Sequence, residues 1–140
     1  MPASPNRRLD SGAVGSLAAS YPAQVFKPED ERVKDTVEYL LKNCIVTNCF
    51  YHEMSHSGIN PYLTLHLAQV LMRTGDTRFV DLIKGVEDLA SPTAQWPEAA
   101  NPRIGTGCMG DGQHIWASAE WITMIINSFV LEEDGKIIIG

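Results

Sequence analysis

Three residues, His52, Glu53 and His56, have the H-E-x-x-H spacing of zinc hydrolases. On a helix this spacing places both imidazoles on one face to bind zinc, and the glutamate acts as the general base. The string needs at least two helical turns and a third ligand, but Gly58 and Pro61 follow almost at once. A zinc-dependent hydrolase is therefore the weakest functional alternative, and we expect no metal or other cofactor.

Glu98 is the strongest candidate for acid–base chemistry. It lies between Pro97 and Ala99, next to Trp96, in a connection from residue 91 to 112 that is rich in glycine and proline. A connection of this length inside a compact helical domain is usually functional or disordered, and this composition favours a shaped loop. A carboxylate beside an aromatic ring can be partly desolvated and directed at a pocket. The structural alternative is a helix cap or an ion pair with Arg103.

The glycines of the same connection have the spacing of a dinucleotide fingerprint, Gly105-x-Gly107-x-x-Gly110. That motif binds a pyrophosphate only between a buried strand and a helix in a parallel βαβ unit. The preceding residues, 96–103, contain two prolines and no β-branched run. The context therefore excludes a dinucleotide site.

A second group of candidates opens the last apolar segment of the chain. Asp111 is expected to cap a helix there, and a helix N-terminus that faces a pocket also offers N–H groups to a ligand hydroxyl. Trp116 and Trp121 belong either to the core or to the wall of a sugar site. Glu120 is a lone carboxylate on an otherwise apolar helix, so it must be hydrogen-bonded inside or face a wet cavity.

The elements that must position these residues are two kinds of helix. One kind has apolar residues on one face and charges opposite, which is typical of a surface helix. The other kind is apolar nearly all round and must be covered on every side. The two kinds alternate as inner, outer, inner, outer, inner, which predicts an all-α fold of about five helices in two concentric layers. Inner helices are predicted at residues 11–21, 61–72 and 113–131, outer helices at 28–45 and 76–90, and a single strand at 136–139.

Five helices leave the inner helix at each end of the chain open to water on one flank. Such a flank is covered either by more of a larger polypeptide or by self-association. An alternative function therefore follows from the pattern alone, a non-catalytic helical module for interaction or self-association.

Composition and charge exclude several classes of partner. The chain has 140 residues, 44% of them hydrophobic, which suffices for a single domain with a real core. A net charge of -6 provides no basic stripe for nucleic acid, and no apolar segment resembles a membrane span or a signal peptide. The three cysteines lack metal-type spacing and cannot all pair within the chain, which favours buried thiols in a reducing compartment. We expect a cytoplasmic protein that binds neither nucleic acid nor membrane, with residues 1–8 disordered.

Four strings of residues, in this order and spacing, resemble the C-terminal part of six-hairpin glycosidases. The similarity is to bacterial proteins related to glycogen-debranching glucosidases and glucoamylases, and it extends from about Leu9 to Glu133. It implies an (α/α)6 toroid, of which this chain, as a single domain of residues 1–140, would form a C-terminal portion of five helices. The strings are residues 56–64 (HSGINPYLT), 90–93 (ASPT), 96–99 (WPEA) and 108–121 (CMGDGQHIWASAEW).

The resemblance also implies an inverting mechanism, in which one carboxylic acid protonates the glycosidic oxygen and a second carboxylate activates water. Glu98 matches the base, whereas the general acid lies on an earlier loop that this chain does not contain. We therefore expect a fragment or split subunit of a hydrolase of α-glucan-like oligosaccharides, inactive alone. Its partners would be a carbohydrate substrate and either the missing N-terminal toroid half or further copies of itself. The residues implied to line the sugar pocket are His56, Asn60, Tyr62, Trp96, Asp111, His114 and Trp116.

Overall fold

The computed structural model describes residues 9–53, 57–110 and 112–140, so the predicted disorder of residues 1–8 lies outside the described residues. The helices are α1 (Leu9–Ser16), α2 (Glu31–Asn43), α3 (Pro61–Arg73), α4 (Phe79–Asp88) and α5 (Ile115–Phe129), and a 3-10 turn, Leu17–Ala19, follows α1. The strands are β1 (Ile45–Val46), β2 (Cys49–His52), β3 (Gly58–Ile59), β4 (Ala99–Ala100), β5 (Gly107–Met109), β6 (Val130–Glu133) and β7 (Lys136–Ile139).

The prediction of an all-α fold, a partial (α/α)6 toroid of alternating inner and outer helices, is wrong. The chain is mixed α/β, with 47% of its residues in helices and 17% in strands. Five strands form an antiparallel sheet in the order β1-β2-β3-β4-β5, and β6 and β7 form a second sheet. Strands β2 and β3 lie in the connection between α2 and α3, and β4 and β5 lie in the connection from residue 91 to 112. No strand was expected in either connection. Each of these strands has only two to four residues, too few for an alternation of apolar and polar positions to be visible in the sequence.

The five-stranded sheet brings these two connections side by side. Ile59 of β3 pairs with Tyr51 of β2 on one side and with Ala100 of β4 on the other. Thr64 ties the sheet to α3, because its hydroxyl donates to the Asn60 carbonyl at 2.7 Å and accepts from the Phe50 N–H at 2.9 Å. As a result, the start of α3 and the segment that precedes β4 lie next to each other.

Helix α3 lies at the centre of the molecule. Pro61 occupies its first turn, where the missing N–H would have no helical partner in any case. Ten of its 13 residues are buried, because α4, α5, β2 and the 3-10 turn pack around it. Helix α5 runs parallel to α3, since Tyr62 contacts Trp116 near the two starts and Gln69 contacts Asn127 near the two ends. Both helices therefore place their N-termini at the same end of the molecule.

Helices α2 and α4 are amphipathic, and an aspartate organises the start of each. The Asp30 carboxylate accepts from the N–H of Arg32 at 2.9 Å, so α2 begins after Asp30 and not at Pro28. Asp76 accepts in the same way from the N–H of Arg78 at 3.0 Å, ahead of α4. Both helices bury one stripe against the core and leave their charges in water.

The chain beyond α5 forms a two-stranded ribbon. Asp134 and Gly135 have φ values of 51° and 71°, the left-handed conformation that a tight two-residue hairpin turn requires. The strand expected at residues 136–139 is β7, and it pairs with β6 along its whole length. Helix α5 itself has 15 residues, and no helix in the described part of the chain is both long and apolar enough to cross a membrane.

The three cysteines are expected to differ strongly in reactivity. Cys49 is fully buried, and burial raises the pKa of its thiol to about 12, whereas Cys108 is exposed. Since the thiolate is the reactive form, brief treatment of the folded protein with iodoacetamide should modify Cys108 and spare Cys49. Mass spectrometry of the peptides measures both sites, and the same treatment in denaturant, where every thiol reacts, is the control. Equal modification of the two sites in the folded protein would contradict this assignment.

Candidate functional site

The candidate site forms where the N-termini of α3 and α5 meet the segment before β4. Pairing of β3 with β4 places Asn60, at the start of α3, beside Glu98. The Asn60 side-chain amide donates to the Glu98 carbonyl at 3.3 Å and holds this segment against α3. On the other side, the N–H of His114, just before α5, donates to the Trp96 carbonyl at 2.8 Å. The segment that carries Glu98 is thus attached to both helix starts.

Two glycines of the fingerprint-like string shape the backbone around Glu98. A Cβ at Gly107 would lie 2.9 Å from Cβ of Pro97, and one at Gly110 would lie 3.1 Å from the Glu98 nitrogen. Gly110 also has a φ of 80°, which favours glycine. These glycines let strand β5 lie directly against the Glu98 segment, so their role here is close packing.

An aromatic cluster lies at the starts of α3 and α5. The rings of Tyr62 and Trp116 stack with centroids 4.5 Å apart, and the His114 ring lies 5.1 Å from Tyr62. Tyr62 is buried, but half of the Trp116 surface, 50%, is open to solvent. The cluster therefore has one buried ring that holds it in place and one indole that is accessible to a ligand.

The carboxylate of Glu98 is electrostatically coupled to this cluster. Glu98 is partly buried. Burial raises the pKa of the Tyr62 hydroxyl, and the negative charge of Glu98 raises it further, because a nearby anion disfavours the phenolate. An anionic carboxylate and an accessible indole thus belong to one site.

His114 adds an unsatisfied polar atom to the site. Its Nδ1 is buried and has no hydrogen-bond partner among the described residues. Buried polar atoms in native proteins are almost always paired with protein or with water. A hydroxyl of a bound ligand or a water molecule would satisfy this nitrogen.

A second layer, one helical turn deeper, contains a carboxylate–imidazole pair. Glu120 Oε1 lies 3.0 Å from Nε2 of His66 and accepts a longer hydrogen bond, 3.4 Å, from the Trp116 indole N–H. The side chains of His66 and Glu120 are only 10% and 15% exposed. The lone carboxylate of the apolar helix is therefore hydrogen-bonded inside, and it holds the indole of the first layer.

Tyr21 and Arg73 continue this polar network towards the 3-10 turn. The Tyr21 ring meets His66 edge-on at 5.6 Å, and the Arg73 guanidinium lies 4.5 Å above the same ring. Burial raises the pKa of Tyr21, and the charge of Glu120 adds to this shift. Burial also lowers the pKa of Arg73. The second layer of the site is therefore a network of polar and aromatic side chains.

Trp96 belongs to the core and not to the aromatic cluster. It is 1% exposed, its indole N–H donates to the Val86 carbonyl at 2.8 Å, and its ring packs against Trp121 at 5.2 Å. Of the other residues implied to line a sugar pocket, Asn60 and Tyr62 lie near Glu98, and His114 and Trp116 pack on Tyr62. His56 and Asp111 lie outside the described residues.

The H-E-x-x-H string is not presented on a helix. His52 is the last residue of β2, and Glu53 lies in the turn that follows. The third member, His56, lies outside the described residues, and no group of three His, Cys, Asp or Glu side chains in the described ranges is placed to hold a metal ion. The helical geometry on which the zinc interpretation depends is absent at His52 and Glu53.

His66 is the residue of this site that the sequence analysis did not select. It follows Tyr62 by four positions on α3, just as Glu120 follows Trp116 by four positions on α5. Residues four apart lie one above the other on a helix. The equal spacing of the two pairs was visible in the sequence. It indicates a contact between His66 and Glu120 only once α3 and α5 are known to pack in parallel.

No family model, curated protein or solved structure matches the chain.

Proposed function

We propose that this chain supplies the base-side half of an inverting glycoside hydrolase site for α-glucan-like oligosaccharides, with Glu98 as the general base. The observation that carries the proposal is the attachment of the Glu98 segment to the starts of α3 and α5, where Tyr62 stacks on the half-exposed indole of Trp116. The flat indole face suits the apolar C–H face of a sugar ring, and Tyr and Trp combine such a face with a polar edge.

The chemistry assigned to Glu98 is proton removal from water. In the inverting reaction, the water oxygen forms a bond to the anomeric carbon while the bond from that carbon to the glycosidic oxygen breaks. Glu98 takes the proton that the attacking water loses, and a separate general acid gives a proton to the leaving oxygen. Glu98 is partly buried near Tyr62, so it is only partly open to bulk water.

Glu120 is not proposed as the general acid. Its Oε1 accepts hydrogen bonds from the Trp116 indole and, in the tautomer with a proton on Nε2, from His66. This oxygen is thus engaged by two side chains of the second layer and is not assigned a proton transfer to substrate. The acid must therefore come from another polypeptide segment, with its carboxyl group about 6.5–9.5 Å from that of Glu98.

The role of Glu98 can be tested without the missing acid. Fluoride is a good leaving group that departs as an anion and needs no proton. Hydrolysis of α-D-glucosyl fluoride therefore requires only the base and an oriented water. We expect the purified chain to release fluoride above the spontaneous rate and Glu98→Gln to lower the catalysed rate by about 10²-fold or more, the usual contribution of a general base. A fluoride electrode measures the release.

The matched control is Glu87→Gln, which removes a carboxylate from the exposed face of α4. It should release fluoride at the wild-type rate, and all three proteins should have the same circular dichroism spectrum. Wild-type release equal to the protein-free rate, or undiminished release by the Glu98→Gln variant, would refute the assignment of Glu98 as the base.

A further inference from the structure

Helix α5 exposes a continuous apolar flank. Ile115, Ile122, Ile126 and Phe129 are 81%, 59%, 57% and 67% exposed, and Ala119 between them is exposed as well. These five residues, which we call the α5 seam, follow one another at intervals of four, three, four and three positions. This is the spacing of the apolar positions through which two helices pack along each other.

The ribbon after α5 extends the same apolar surface. Val130 pairs with Ile139 at the end of α5, and Ile137 lies on the same face of the ribbon as Ile139. These three side chains are 49%, 78% and 73% exposed. Together with the seam they make eight exposed apolar side chains, and exposed apolar patches of this kind mark interaction sites.

We propose that a second copy of this chain covers the α5 seam, with the two α5 helices antiparallel about a twofold axis at Ile122. The seam is self-complementary in this arrangement because Ile122 is its midpoint. Ile115 then faces Phe129 of the other copy, and the small Ala119 faces the large Ile126. A twofold interface requires such a patch, in which each residue meets another member of the same patch.

The charges of α5 also favour a second copy. Glu120 is the one charged residue of α5, and its carboxylate is turned inward towards His66. Two copies of α5 therefore meet without a pair of like charges, although the chain as a whole carries a net charge of -6. In addition, antiparallel pairing places the ribbon of each copy beside Ile115 of the other, so both ends of the patch are covered.

Sedimentation equilibrium of the purified chain between about 1 and 100 μM tests the proposal. We expect a mass of twice 15.4 kDa for the wild type. Ile122→Glu places two carboxylates face to face at the axis and should weaken the dimer at least 100-fold, giving a monomer over most of this range. The control is Ile104→Glu, which adds the same charge at an isoleucine that is 69% exposed in a loop, and it should remain a dimer.

Cross-linking tests the same dimer independently, in case the Ile122→Glu variant does not fold. In a Cys108→Ser background, Ile122→Cys should be joined to a second copy by a short bis-maleimide, whereas Ile104→Cys should not. A wild-type monomer at 100 μM, a trimer or larger ring, or a dimer that survives Ile122→Glu would overturn the proposal. Since the seam does not include Glu98, the Glu98→Gln variant should dimerise like the wild type, and failure of the fluoride experiment would leave this result unaffected.

Discussion

Replacement of Trp96 with alanine is expected to lower the free energy of unfolding by about 3–5 kcal/mol, the usual cost of removing a buried aromatic side chain. Trp96 is 1% exposed and packs on Trp121, so its removal leaves a cavity in the core. It also removes the hydrogen bond that the indole N–H donates to the Val86 carbonyl, near the C-terminal end of α4. A typical domain has a total stability of about 5–15 kcal/mol, so this single change would consume a large part of it.

Urea denaturation followed by far-ultraviolet circular dichroism measures this loss, with Trp116→Ala as the matched control. Because half of Trp116 is already in solvent, its removal should cost clearly less than that of Trp96, about 1–2 kcal/mol. Trp96→Phe should fall between wild type and Trp96→Ala, since it refills part of the cavity but leaves the Val86 carbonyl without the indole donor. Equal stability of the Trp96→Ala and Trp116→Ala variants would contradict a core role for Trp96.

Four of the five helices, α2 to α5, were predictable because their apolar pattern extends over ten or more residues. The apolar run predicted at residues 61–72 is α3, and the run predicted at 113–131 contains α5. What the pattern could not specify was the environment of each helix. α3 is covered on all sides, as an apolar helix should be, while α5 leaves the flank that contains Ile122 and Ile126 in solvent.

The five-stranded sheet was not predictable, for a physical reason. Ile59 and Ala100 pair across 41 positions of chain, and each belongs to a strand of two residues. No local propensity of such a short segment exceeds that of a loop, so the strands form only because the surrounding helices bring their backbones together. The fold class was therefore wrong even though the helices that surround the sheet had been found.

Part of the site was predictable and part was not. Glu98 was selected for the composition of its loop and its aromatic neighbour, and the structure places Asn60 and Tyr62 near it, with His114 and Trp116 packed on Tyr62. In contrast, Trp96 could not be distinguished from Trp116 by sequence. Only the burial of one and the exposure of the other separate a core side chain from a candidate ligand contact.

The second large effect is expected at Glu120. Glu120→Ala removes the acceptor shared by His66 and the Trp116 indole, and hydrogen bonds to a charged group are worth about 1.5–3 kcal/mol. Both side chains of the His66–Glu120 pair are mostly buried. In the variant, bulk water can therefore replace the lost hydrogen bond of the His66 imidazole only if the structure opens locally. We expect the free energy of unfolding to fall by about 2–3 kcal/mol.

A double-mutant cycle separates the pair from its surroundings. His66→Ala, Glu120→Ala and the double variant should show a coupling energy of about 1 kcal/mol or more, since the two groups contact each other directly. Glu120→Gln keeps an acceptor for the indole and should lose less than Glu120→Ala, and Glu87→Ala on the exposed face of α4 should stay within about 0.5 kcal/mol of wild type.

The consequence of Glu120 for the first layer can be measured in the same variants. Trp116 is held between the Tyr62 ring and the Glu120 carboxylate, so loss of the carboxylate should free the indole to rotate. We therefore expect Glu120→Ala to weaken maltotetraose binding several-fold in a calorimetric titration, even under conditions where the variant is fully folded. If the cycle is additive and sugar binding is unchanged, Glu120 neither pairs with His66 nor positions Trp116. A stability loss with unchanged sugar binding would instead limit Glu120 to supporting the fold.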